Sequence, residues 1–432
     1  MNSPRKKPGR ISRVLNTYAE RIKAFSPNAR KYLLAIIIHG TAMGVYRLLF
    51  NFYILSMGYD EALVGNLVTA SNITSLAAAL PIGYLADILG RKRSLIIGYV
   101  LTGFAILMMV LFPSIPMFII MNVLMGASQA LAAVTSGPFL MENSNETERT
   151  YLFSFNSGLG MVANSIGNWI GGYMPGWFAS TLGVTATDTR AYAWSLGIIV
   201  IGILLSLIPF SLLSRNRLPA SERSVFAPIS FMKKHPKELG KLILPLLITS
   251  IGAGLLMPFM NVFFRNVHNL SDSAIGVMFA WGSLAIAIGL LVAPPLAEKY
   301  GKIQVVVITQ ALSIPFLALL GYGPLAVSAS AYYVRIGLMN MSGPIFSTFM
   351  MEQVDPSSRA MVASLANMAH NFGWAFSPAI SGYIQVNYGF GPAFLLTILL
   401  YAVSIVLYYV FFWKKRFRPM KTETVSETPQ NV

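Results

Sequence analysis

The sequence predicts an all-α membrane protein: twelve transmembrane helices in two pseudo-symmetric six-helix halves, with both termini cytoplasmic. Three observations lead there. Of 432 residues, 55% are hydrophobic and only 11% charged, and the mean hydropathy is +0.61; a soluble domain carries about 25% charged residues, more than twice this share. Apolar stretches long enough to cross a hydrocarbon core of about 30 Å recur along the whole chain. Finally, short motifs of the first half return in the second at an offset of 210 or 211 residues.

Taken in order, hydropathy places spans at 32–55, 62–86, 94–112, 116–140, 151–174 and 193–213, then at 242–264, 274–297, 303–322, 325–350, 360–386 and 390–412. Residues 1–31 form a basic N-terminal segment, 32–213 the first half, 214–241 a polar and basic linker, 242–412 the second half and 413–432 a tail. Gly40, Gly44, Gly126, Gly167, Pro258, Pro344 and Pro378 fall inside spans, where neighbouring helices re-satisfy the backbone. Residues 1–31 lack an apolar stretch followed by a small-residue cleavage site, so no signal peptide is expected.

The net charge of +16 reports topology rather than nucleic-acid binding. Of 32 Lys and Arg, Arg190 and Arg265 fall on one side and Arg47 and Arg335 inside spans; the remaining 28 lie on the side of both termini. That asymmetry makes this side cytoplasmic, with some attraction for anionic lipid of the bilayer.

The repeat is specific. Val64-Gly65 returns as Ile275-Gly276, Leu85 to Arg91 as Leu296 to Lys302, Met141-Glu142-Asn143 as Met351-Glu352-Gln353, Arg149 as Arg359, Gly172-Tyr173 as Gly382-Tyr383 and Asn51 as Asn261. Two parallel halves of this kind are the architecture of a transporter whose site lies between them.

With that frame, Gly83-Tyr-Leu-Ala-Asp87-Ile-Leu-Gly90-Arg91-Lys-Arg93 resembles the loop signature between helices 2 and 3 of the major facilitator superfamily. Glycines there permit close packing and a sharp turn, and the arginines hold the loop in the cytoplasm. The resemblance spans about residues 32–412 and implies a monomeric carrier of a small molecule in the cell membrane. It also implies a cytoplasmic latch in which Asp87, Arg91, Glu142 and Arg149 meet Glu298, Lys302, Glu352 and Arg359 of the other half, with Gly301 repeating Gly90. Alternatively, these charges only fix topology. Helix 5 resembles the spaced-glycine pattern of drug and metabolite exporters through Gly167, Gly171 and Gly172, although Asn168 replaces its proline and Ala163 an earlier glycine. The sugar-importer run after helix 6 is missing, and Asn122 stands where exporters carry an intramembrane Arg.

Charge inside a membrane is costly and usually faces a cavity. All sixteen acidic residues fall in loops, tails or helix ends, whereas Arg47 and Arg335 lie inside spans 1 and 10, which line the cavity in the superfamily. A guanidinium there can hold a carboxylate or phosphate, with Asn51, Asn261 and Asn340 as neutral polar contacts; the alternative is that each Arg satisfies backbone carbonyls or snorkels. His39 and His370 are the candidates for proton coupling, against a packing role for each.

Absence of Cys excludes disulfides, thiol nucleophiles and Cys-ligated metals. No phosphate-binding glycine loop, metal-ligand cluster or catalytic carboxylate pair appears, so neither ATP, a cofactor, a metal nor enzymatic activity is expected. The expected function is secondary active transport of a small amphipathic or anionic organic molecule by alternating access, outward and coupled to protons. Metabolite uptake and a non-transporting membrane sensor are the rivals.

Overall fold

The computed structural model describes residues 25–214, 236–354 and 359–414, and the architecture of the described residues is helical. Most of the basic N-terminal segment, the linker and the tail lie outside the described residues. The first half comprises α1 (Pro27–Ser56), α2 (Glu61–Leu89), α3 (Arg91–Leu111), α4 (Ile115–Glu142), α5 (Glu146–Leu182) and α6 (Thr189–Ser211). In the second, α7a (Pro236–Leu256) and α7b (Met260–His268) are joined by the 3-10 turn Met257–Phe259, and α8 (Asp272–Tyr300), α9 (Lys302–Tyr322), α10 (Leu325–Glu352), α11 (Arg359–Tyr388) and α12 (Phe390–Tyr408) follow.

Side chains cap the starts of α1, α2 and α8. Ser26, Asp60 and Ser271 each accept a hydrogen bond from the backbone N–H three residues on, and Pro27 occupies the first turn of α1. Single residues, Gly90 (φ +76°) and Gly301 (φ +96°), turn α2 into α3 and α8 into α9. Only glycine enters that conformation without strain, which explains both repeated glycines. The break before α7b falls at Pro258, one of the interruptions expected from sequence. In contrast, α1 begins before residue 32, at its Ser26 cap, and α5 overruns 151–174 at both ends, closing on Gly183 in the left-handed conformation.

Among the described residues, nine helices are long and apolar enough to cross a membrane, with α7a and α7b counted as one span; α5, α10 and α11 fall outside that set. These three carry polar residues along their length, among them Asn164 and Asn168, Arg335 and Asn340, and His370 and Asn371.

Two ends of the bundle can be told apart by their turns: one bears Gly58, Gly183 and Asn269, the other Gly90 and Gly301. At the Gly58 end a single apolar core draws Leu48, Phe52, Tyr192 and Ile203 of the first half together with Phe259, Phe263, Tyr332 and Phe394 of the second. At the Gly90 end the core divides. One cluster, with Tyr32, Tyr99, Phe139 and Phe210, belongs to the first half; another, with Leu242, Val306, Phe346 and Tyr408, belongs to the second.

Candidate functional site

The halves meet along two seams, α5 against α8 and α2 against α11, and the repeated glycines make both. A Cβ on Gly276 would lie 2.5 Å from the Asn168 carbonyl and 2.9 Å from the Gly172 Cα; one on Gly172 would lie 2.7 Å from the Asp272 carbonyl. In the other seam Gly382 abuts Glu61 and Ala62, and Gly65 abuts Pro378 and Ala379. Small residues let helix backbones approach this closely inside a membrane. The helix 5 glycines thus divide their work: Gly167 and Gly171 pack α5 on Thr41, Gly44 and Val45 of α1, within one half, while Gly172 faces the other half.

Polar side chains cross between the halves from the Gly58 end to mid-helix. The Asn51 amide donates to the Pro258 carbonyl (2.7 Å) and to Asn261 Oδ1 (2.9 Å), and the Asn261 amide donates to the Leu48 carbonyl (2.8 Å). Pro258 and Leu48 are themselves 210 residues apart, so this exchange obeys the same pseudo-symmetry as the sequence repeat. Nearer the turns, Tyr192 on α6 donates to Asp272 Oδ2 (2.6 Å), and Arg265 on α7b donates to Tyr192 Oη (2.6 Å). The Arg265 guanidinium also lies 3.7 Å from the Asp272 carboxylate and 4.3 Å over the Phe52 ring. Asn266 donates to Glu61 (2.9 Å), and deeper in the bundle Asn72 donates to the Trp374 carbonyl (2.9 Å) and Ser165 to the Ala280 carbonyl (3.0 Å).

The Gly90 end is knitted differently. Arg91 pairs with Glu142 at 3.0 Å, and Lys302 pairs with Glu352. These are repeat equivalents of one another, and each stays inside its own half. Both pairs lie beside the apolar clusters of their own halves, which are separate at this end. Arg93 and Glu298 are exposed, Gly83 and Arg149 are half-buried, and the Asp87 and Arg359 side chains lie outside what is described.

Of the residues singled out from sequence for the substrate, Arg47 and Arg335 diverge. Arg335 is 1% exposed and is held by the Tyr401 hydroxyl (3.3 Å), the Met257 sulfur (3.8 Å) and the Tyr401 ring face. These contacts join α7, α10 and α12. Arg47 is exposed although it sits mid-helix in α1, and among the described residues its guanidinium has no hydrogen-bond or carboxylate partner. It lies four residues before Asn51, hence on the face that α1 turns toward the second half, one turn nearer the Gly90 end. The Asn51 NH2 is occupied by Asn261 Oδ1 and the Pro258 carbonyl and the Asn261 NH2 by the Leu48 carbonyl, and Asn340 is exposed, bonded to its own helix at the Ile336 carbonyl.

His370 is exposed, and its Nδ1 is 3.0 Å from Ser250 Oγ on α7a, whereas His39 packs edge-on to Tyr99 (4.2 Å between centroids) with Nδ1 buried and unpartnered. Sequence reading missed Asp272. Its position at a helix start suggested a wet loop carboxylate, yet it is buried at 9% exposure, because α6 and α7b close over it. The signal available was Arg265, one of only two basic residues on that side. No group of three His, Cys, Asp or Glu able to hold a metal occurs among the described residues.

Comparison with known proteins agrees with this geometry. The model of the Major Facilitator Superfamily matches residues 32–334 and 242–432. The chain is 23% identical over 402 residues to the proton-coupled antiporter flippase LtaA of Staphylococcus haemolyticus (strain JCSC1435), covering 91% of this chain and 96% of that one. Its counterpart in Staphylococcus saprophyticus is 21% identical over 341 residues, 77% of this chain and 81% of the relative. Among solved structures, a bacterial homologue of the human lysosomal transporter Spinster superposes with a TM-score of 0.73 at 17% identity, covering 90% of this chain and 98% of that one. The nucleoside transporter NupG gives 0.69 at 14% identity, over 90% and 100%. The chain belongs to the Major Facilitator Superfamily, and it is an integral membrane transporter.

Proposed function

We propose that this member of the Major Facilitator Superfamily exports an amphipathic organic molecule with an anionic head, in exchange for protons, by alternating access across the cell membrane. The observation that carries the reading is the division of the apolar core: continuous across the halves at the Gly58 end, separate at the Gly90 end. Two rigid bodies closed at one end and parted at the other are one state of a rocking carrier. The excess of basic residues assigns the Gly90 end, with both termini, to the cytoplasm, so the passage faces inward. Twelve spans follow if α5, α10 and α11 also cross, their polar residues turned to the passage or the seams rather than to lipid.

Within the passage Arg47 is the anchor for the substrate's anionic group. A guanidinium offers a fork of donors that matches carboxylate or phosphate, and among the described residues Arg47 is left without a competing carboxylate. Arg335 holds the second half together instead. His370, exposed on α11, is the proton-exchanging candidate that water can reach. The relatives named antiporter flippases support both the exchange mode and an amphipathic cargo. The charges at the cytoplasmic end, paired within each half here, latch the inner gate when the halves rock the other way.

Proteoliposomes with an imposed pH gradient test this. A fluorescent single-chain amphiphile with a phosphate head should move saturably and only with the gradient present, and Arg47→Ala should abolish its movement while leaving the melting temperature unchanged. Flux that is indifferent to Arg47→Ala would remove the anion anchor, and no flux of any amphiphile with binding retained would favour a sensor. Arg335→Ala should lower the melting temperature whatever the cargo.

A further inference from the structure

Asp272 has no role in the passage described above, yet among the described residues it is the only acidic side chain in the buried class. It stands where α6 of the first half meets α7b and α8 of the second. Tyr192 reaches it from the opposite half, and Arg265 lies beside it. Groups facing it from the packed elements are Tyr192 on α6, Arg265 on α7b, and the Gly172 backbone on α5 beside the start of α8; His268 turns instead to the rings of Phe263 and Phe264. Asp188 and Arg190, on the neighbouring turn, pair with each other at 3.2 Å. A cavity of about 270 Å³ adjoins the cluster, lined by Arg265, Asp272, Ser271, Thr187, Tyr173 and Trp177. Its walls lie at the Gly58 end, so water and protons from that side reach the carboxylate while the halves remain together.

We infer that Asp272 is a proton-binding site through which acid on the outer face opens the external gate. The inference rests on the reading above that the Gly58 end is external. In the closed gate the ionised carboxylate accepts the Tyr192 hydroxyl proton in a hydrogen bond and balances the charge of Arg265. Uptake of one proton from water at a carboxylate oxygen removes the negative charge. The Arg265 attraction is then lost, the charge-assisted bond from Tyr192 becomes a weaker neutral one, and the half-buried Arg265 is left against Phe52 without its counter-ion. Every one of these changes disfavours the closed arrangement and none touches the seam glycines, so the gate is loosened rather than dismantled.

The natural chain has no Cys, so labels can be placed singly. Ser180→Cys on α5 and Asn387→Cys on α11, both exposed at the Gly58 end on opposite halves, carry spin labels for distance measurement in nanodiscs from pH 7.5 down to about 4.5, the range into which burial lifts the titration of a carboxylate. Acid is expected to raise the ratio of long to short distances about tenfold, the scale of a lost hydrogen bond to a charged group. Asp272→Asn should give the long-distance population at every pH and abolish the response. Tyr192→Phe should lengthen the distance already at pH 7.5 and retain a reduced response through Arg265, which a merely misfolded protein would not do. An unchanged distance distribution across the pH range, or an undiminished response in Asp272→Asn, overturns the inference. The readout needs no transport: a pH response without flux would sink the transport reading alone, and flux without a pH response would sink only this one.

Discussion

The two ends of the molecule use different residues for different bonds. At the Gly58 end, glycines, asparagines and a buried Tyr–Asp–Arg cluster join one half to the other; at the Gly90 end, Arg91–Glu142 and Lys302–Glu352 join neighbours within a half. The first set is buried and geometrically demanding, and the second is partly solvated. A carrier needs this difference. A seal between moving bodies must exclude water in one state and separate in the other, whereas ties within a body must hold in both. Burial makes the seal strong, and division into a few discrete contacts makes it breakable.

The largest way to break the contrast is to add bulk to a seam. Gly276→Leu sets a side chain against the Asn168 carbonyl and Gly172, where only backbone can yield. Overpacking of about 1–3 kcal/mol should shift the closed-to-open ratio at the Gly58 end by roughly five- to over a hundredfold, as read by distances between labels, and should abolish transport without unfolding either half. A smaller effect is expected from the amide exchange. Asn51→Ala removes the side-chain donor to the Pro258 carbonyl and one of the two donors to Asn261 Oδ1, at a cost of about 1–3 kcal/mol. Because the two amides share one network, Asn51→Ala with Asn261→Ala should cost less than the sum of the single changes, which a double-mutant cycle on gate distances checks. The smallest effect belongs to the other end. Lys302 and Glu352 are 34% and 51% exposed, so Glu352→Gln should change the melting temperature by the equivalent of no more than about 1 kcal/mol and leave distances at the Gly58 end untouched. A large change there would mean the ends are not the separate devices described.

Much of this was legible in the sequence, though not the pairing. The offset of 210 or 211 residues exposed Gly65, Gly172, Gly276 and Gly382 as a repeated set, and all four prove to be seam residues. Periodicity could not reveal that Gly172 faces α8 while Gly167 and Gly171 face α1, since which neighbour a helix face meets is a tertiary fact. Asn51 and Asn261 were recognised as symmetry partners and assigned to substrate; their amides meet each other because α7 breaks at Pro258 and turns its carbonyl toward α1. Arg47 and Arg335 looked equivalent as intramembrane cations. The difference arises from Tyr401 and Met257, which enclose one and have no counterpart around the other. Asp272 was the real omission, for a helix-start carboxylate reads as solvated until the helices covering it are placed.

The most direct test of the rocking account measures both ends in one preparation: Ser180→Cys with Asn387→Cys at the Gly58 end, and Arg93→Cys with Lys299→Cys at the Gly90 end, across the same pH range and with the phosphate-headed amphiphile. The account predicts opposite changes, so that every condition lengthening the first distance shortens the second. If both distances lengthen together, or the Gly90 pair stays fixed while the Gly58 pair opens, the halves do not rock about a central site.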